Sequence, residues 1–243
     1  MISLFRKEIS LFFNTLTGYL VIGVYLVLNT LFLWVIPGSF NIPESNQASL
    51  HGLFTISPWL FLFLVPAITM RMIADERKSG TIDLLFIKPI SDIQIIAAKY
   101  LASLVLVAAA IIPTFVTFFT VYHLGYTPGN MDVGATIGSY MGLFFLAAIY
   151  AAIGVFASSI TENSIVSFII AALLSLLLYI GFDTLSQLPI FSGIEDAIKS
   201  IGINEHYNSI SRGVIDTRDL IYFAGVSAIF ILLATYSIEK KHQ

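Results

Sequence analysis

Six apolar stretches, each near or above the ~20 residues an α-helix needs to cross the ~30 Å hydrocarbon layer of a bilayer, restrict what this chain can fold into. At 57% apolar and 11% charged residues, with a mean hydropathy of +0.89, its 243 residues carry more apolar surface than a soluble domain can hide. Water is absent from that layer, so every backbone N–H and C=O there must be satisfied inside a helix or a closed barrel. The runs are continuous and lack two-residue alternation, which selects helices. The expected fold is all-α: a polytopic membrane protein, one transmembrane domain over residues 1–243, with six transmembrane helices and an N-terminal amphipathic helix lying in the interface.

Ile2, Phe5, Ile9, Phe12 and Leu16 recur at helical spacing with Ser3, Arg6, Lys7, Ser10 and Asn14 opposite, the pattern of a helix resting on a membrane surface. Glu8 stands among the basic residues and no small-residue cleavage site precedes the first run, so the N-terminus reads as mature sequence. The spans are expected at about 16–36, 56–72, 97–122, 134–158, 164–182 and 220–238. Pro58 falls near the start of the second, where a missing N–H is harmless, while Pro66 inside it should kink it and Pro113 should bend the third. Ser91 and Asp92 provide an N-cap for the helix of the third span, which carries Lys99. In the fourth span Gly134, Gly138 and Gly142 recur every four residues; such a stripe serves either packing within the chain or a seam between two copies. The brief turn at 159–163 makes the fourth and fifth spans antiparallel neighbours. Residues 184–219 form the longest aqueous segment, with short helices expected near 194–201 and 205–212.

Orientation follows from the basic residues. With the N-terminus inside, nine of the twelve Lys and Arg (Arg6, Lys7, Arg71, Arg77, Lys78, Lys88, Lys99, Lys240 and Lys241) face the cytoplasm, and Lys199, Arg212 and Arg218 remain in the external segment. The positive-inside rule therefore predicts both termini in the cytoplasm. The spans hold almost no ionisable group away from their ends, against an ion-coupled carrier. The chain has no GxxxxGK[ST] loop for nucleotide phosphates, no HExxH and no GxSxG. Having no cysteine, it can form neither disulfides nor thiolate metal sites. The histidines, His51, His123, His206 and His242, share no metal-ligand spacing and read as solvated; a weak external copper site assembled in three dimensions, with Met131 near His123, is the alternative. No catalytic residue, cofactor or nucleic-acid partner is expected.

Between the second and third spans lies RMIADERKSGTIDLLFIKPISD, residues 71–92. Ile82, Leu85 and Phe86 share one helical face at i, i+3 and i+4, flanked by Glu76, Arg77 and Lys78. By spacing alone these charges either orient the neighbouring spans and sit in water, or frame a helix that docks in a partner's groove. The run Asp75-Glu76-Arg77-Lys78-Ser79-Gly80-Thr81, then Asp83-Leu84-Leu85 and Lys88-Pro89, resembles the membrane subunit of ABC-2-type transporters, with Asp83 where Glu is more usual. The stretch from Ser211 to Asp219 is a second match. Together they are most similar to the permease subunit of the gliding-motility-associated ABC transporter of Bacteroidetes-type bacteria, and more distantly to the permease of nitrous-oxide-reductase maturation.

That resemblance implies a multi-pass protein of the bacterial inner membrane, a non-catalytic permease coupling ATP hydrolysis on a separate subunit to export of a substrate. It implies a cytoplasmic coupling region at 73–96, in which Glu76, Arg77, Lys78, Gly80, Thr81, Ile82, Asp83, Leu85 and Phe86 meet the ATPase. The partners it implies are two ABC-type ATPase subunits, a second permease copy or a different permease, and membrane lipids. A scaffold that anchors a motility or secretion assembly without moving a solute is the alternative. Arg212, Asp216, Arg218 and Asp219 read as a capped, salt-bridged entry into the sixth span.

Overall fold

A computed structural model describes residues 1–45, 47–82, 90–125, 129–191, 193–213 and 216–242, and every regular element among them is helical. The surface helix α1 (Ile2–Phe13) turns at Asn14 and Thr15 into α2 (Leu16–Thr30), which ends in a π-helical turn, Leu31–Val35. After a short excursion comes α3 (His51–Thr69), followed through one tight turn by α4 (Ala74–Lys78). The third span is α5 (Asp92–Ile111) and α6 (Phe115–Leu124), separated by the 3-10 turn Ile112–Thr114 that holds Pro113. Then follow α7 (Val133–Ile160), α8 (Ser164–Leu176), the short α9 (Ile203–Ser211) and α10 (Thr217–His242). Six continuous stretches among the described residues are long and apolar enough to cross a membrane: Leu16–Val35, His51–Lys78, Asp92–Leu124, Val133–Ile160, Ser164–Ser186 and Thr217–Lys240. The protein is thus an all-α polytopic membrane protein.

The central element is α7. Its 28 residues span about 42 Å, and α3, α5, α8, α9 and α10 all pack on it. Its sequence permits this, because small residues recur along it and let neighbouring backbones approach closely. A Cβ at Gly154 would overlap the Thr69 side chain of α3, which fixes how close those two helices cross. By contrast α2, α8 and α10 turn large apolar side chains outward, among them Val24, Val27, Ile169, Leu173, Ile229 and Leu232. The buried side of α8 is a stripe of three residues spaced four apart, Ser167, Ala171 and Ser175.

The second span begins at His51, earlier than the expected 56, and this moves Pro58 from the first turn into the helix interior. There its missing N–H leaves the carbonyl of Phe54, four residues back, without its helical donor. The Tyr207 hydroxyl of α9 supplies one, donating to Phe54 O at 2.6 Å. Burial pushes the pKa of Tyr207 up, so the hydroxyl keeps the proton this bond requires. Apolar residues on both sides, Leu53 and Phe61, are fully buried and hold the early turns in place. A tertiary hydrogen bond therefore allows a helix start that local rules place later.

Tyr207→Phe is expected to destabilise the protein by about 1–3 kcal/mol by orphaning the Phe54 carbonyl, read as a lower melting temperature in detergent. Pro58→Ala in that background should recover part of the loss, because the new backbone N–H reaches the same carbonyl. Equal melting of Tyr207→Phe and the parent would contradict this reading.

Candidate functional site

Both chain termini lie at one end of the bundle with α4, and the charges missing from the mid-spans are concentrated there. Lys99, on the second turn of α5, is 1% exposed. Its ammonium donates to Glu8 Oε1 of α1 at 2.7 Å and to the Met72 carbonyl after α3 at 2.5 Å, and pairs with Glu76 Oε2 of α4 at 2.8 Å. The other Glu76 oxygen meets Lys7 of α1 at 2.6 Å. The order Lys7, Glu76, Lys99, Glu8 alternates in sign and sums to zero, so the buried charges compensate one another. Leu4 of α1 lies one turn before Glu8 on the same face and packs with Ile95 and Ala98 of α5, which holds the two helices in register for the ion pair.

The polar residues of α4 are divided between these internal bonds and solvent. Its first backbone donors, Ile73 N and Ala74 N, both reach Ser158 Oγ at the end of α7 at 3.0 Å, so a hydroxyl from another helix caps them. Ser158 in turn donates to the Met70 carbonyl at 3.1 Å. Arg77 donates to the Ser237 carbonyl of α10 at 3.3 Å, and the Glu162 carboxylate in the α7–α8 turn acts on the same guanidinium. Gly80, at φ +70°, ends the helix in the left-handed conformation that a side chain disfavours. Beyond Arg77, Lys78, Ser79, Gly80 and Thr81 are exposed, while Ile82 is half-buried against the core. Asp83, Leu85 and Phe86 lie outside the described residues.

Partial burial lowers the pKa of Lys7, but the hydrogen bond and charge of Glu76, with Glu8 adding, outweigh it and leave it raised. Its contribution to stability is thus fully present below the ordinary lysine value and is lost as pH rises through the raised one.

The other predicted groups lie toward the opposite end. Gly138 and Gly142 of α7 face α9: a Cβ on Gly138 would come 2.9 Å from Gly213 Cα, and one on Gly142 would come 3.2 Å from Ile210. Gly134 is exposed at the start of α7, beside Asp132. Asp216 caps α10 by accepting from Arg218 N at 2.9 Å. Arg212 and Arg218 point into solvent, and the contact at this corner is the hydrogen bond between His206 Nδ1 and Asp219 Oδ1 at 2.7 Å. The other ring nitrogen of His206 faces the Ser200 carbonyl at 2.9 Å, and the ring stacks on Tyr222. An arginine-based entry to the sixth span is therefore replaced by a histidine-based one, because α9 folds back and brings His206 within reach. Among the described residues no group of three His, Asp or Glu is placed to hold a metal ion.

The sequence marks Glu8 only as an acid among basic residues, His206 as a solvated histidine and Lys99 as one more cytoplasmic base, and it gives Ser158 no role.

Residues 45–241 match the model of a family described as ABC-2 family transporter protein. No curated protein matches the chain.

Lys99→Met is expected to cost about 3–5 kcal/mol, because it strands the buried Glu8 carboxylate and leaves Glu76 with Lys7 alone, and to expose α1 to limited proteolysis. Adding Glu8→Gln should recover part of the loss, since the two charges then leave together. An unchanged melting temperature and protease pattern for Lys99→Met would remove the ammonium from its place at this junction.

Proposed function

The chain belongs to the ABC-2 transporter family and is a membrane permease subunit of an ABC transporter; from that premise we propose that α4, with the segment after it, is the lever through which a separate ATPase drives the bundle. The observation that carries this reading is the division of α4. Its first turn is bonded to α1, α5, α7 and α10, while its tip, Lys78 to Thr81, is free to meet a partner. A push on such a tip displaces several helices together, the kind of rigid-body input that bistable bundles amplify.

Three features support the assignment. By the sequence order of spans, nine of the twelve basic residues share the side of α4, which favours the cytoplasm, where ATP is available. The chain has no phosphate-binding loop of its own, so the energy comes from the ATPase that the family pairs with. The sequence after Gly80 places Ile82, Leu85 and Phe86 on one face, with Asp83 beside them, as a helix seated in a groove requires. In this reading two permease chains, alike or different, enclose the path and two ATPase subunits drive it. The motifs at 75–89 and the stretch at 211–219, taken together, favour a role in gliding motility.

Lys78→Glu combined with Phe86→Asp is expected to reduce co-purification of an ABC-type ATPase from native membranes at least tenfold, about 1.4 kcal/mol, without altering the permease's elution or melting. Lys99→Met should keep the ATPase bound yet slow its hydrolysis in the assembled complex. Wild-type recovery of the ATPase with the first variant would overturn the proposal.

A further inference from the structure

At the end of the bundle opposite the termini, a cavity of about 750 Å³ opens between the first turns of α3 and α7, the end of the fifth span and α9. Small-molecule sites are typically of ~300–1,000 Å³. From His51 to Trp59 is eight residues of α3, about 12 Å along the axis, so the cavity extends along that helix.

Its walls are fixed before any ligand arrives. Tyr207 is tied to the Phe54 carbonyl, Ser139 donates to the Ser211 carbonyl at 2.9 Å, and Gly138 and Gly142 bring α9 against α7. A wall pinned to two spans loses little freedom on binding.

The lining chemistry is selective. Among the described residues no Lys or Arg borders the cavity, so no lysine or arginine side chain there pairs with a phosphate or carboxylate. Two carboxylates do border it, and both are already engaged. Asp132 caps α7, accepting from Ala135 N at 2.9 Å beside the positive end of that helix. Asp183 accepts from Asn204 Nδ2 at 2.6 Å. Asn204 Oδ1 accepts in turn from Asn208 Nδ2 at 3.2 Å, one turn along α9. This directed chain from Asn208 through Asn204 to Asp183 orients each amide and leaves the Asn208 carbonyl oxygen and second N–H as a neutral acceptor and donor side by side. Trp59, half-exposed, lines the same cavity as the polar strip, with Tyr179 edge-on to it at 6.0 Å. A flat apolar face in one cavity with paired neutral donors and acceptors suits a molecule with hydroxyls around its edge and C–H bonds on its face.

We propose that this cavity is a binding site for an uncharged polyhydroxylated ligand, a sugar ring or short glycan, held by Trp59 and the Asp183–Asn204–Asn208 strip. The inference goes beyond the lever reading and does not rest on it: the site binds its ligand whether or not the ligand is moved.

The chain has two tryptophans, so Trp34→Phe leaves Trp59 as the sole indole reporter. The full-length variant, in nanodiscs without ATPase, is titrated with glucose, N-acetylglucosamine, cellobiose and chitobiose, and separately with tetramethylammonium and inorganic phosphate. A saturable change in Trp59 emission is expected with at least one sugar and with neither ion. Asn208→Ala, at an exposed position, should raise the apparent Kd at least tenfold with helical circular dichroism unchanged, and Asn204→Ala should do the same. The proposal is overturned if no sugar gives a saturable change, if tetramethylammonium does so instead, or if the sugar response survives Asn208→Ala. Because no ATPase is present, either result leaves the test of the lever independent.

Discussion

One ammonium group organises the end of this protein that holds both termini. A charge withdrawn from water has to be met by oxygens held at the right distance, or burying it costs several kcal/mol. Lys99 meets that demand with a carboxylate from α1, a carboxylate from α4 and a carbonyl that follows α3. No two of those partners belong to the same element. The surface helix, the loop after the second span and the start of the third span are therefore joined through one site, and moving any of them disturbs the others. The constraint that makes the charge costly is also what makes it an effective joint.

The same logic applies to uncharged groups. Ser158, on α7, caps α4 from outside because that short helix has no side-chain cap of its own. Tyr207 of α9 donates to a carbonyl that Pro58 leaves unserved. In both cases a donor or acceptor that the local backbone cannot satisfy is satisfied by a distant helix, and the repair doubles as a tether. Among the buried polar side chains, Glu8, Lys99, Ser139 and Ser158 lie at such junctions.

What the sequence made legible follows from this. Long apolar runs, the alternating faces of α1, and the 3-10 turn at Pro113 are local features, and periodicity or a single proline reports them. Even the start of α5 was close: Ser91 occupies the N-cap position, although its side chain makes no capping bond. Within the site, the exposed tip and the glycine turn at Gly80 were readable because each depends on its neighbours in the chain. The partners of Glu8 and Lys99, 91 residues apart, and of Phe54 and Tyr207, 153 apart, were not, since no local pattern encodes a contact of that separation. His206 was hidden for the same reason, and its pairing with Asp219 depends on a fold-back that composition does not announce. Asp83, Leu85 and Phe86 rest on the sequence pattern alone.

The near-complete burial of α7 has a further implication for how such a chain can vary. Five helices lean on it, and at Gly154 and Gly138 it has no room for even a methyl group. An insertion of one residue would rotate everything beyond it by about 100° and present the wrong side chains to all five neighbours at once. Divergence among descendants of this sequence is thus channelled away from its mast and onto the lipid-facing flanks of α2, α8 and α10, where one large apolar side chain serves nearly as well as another.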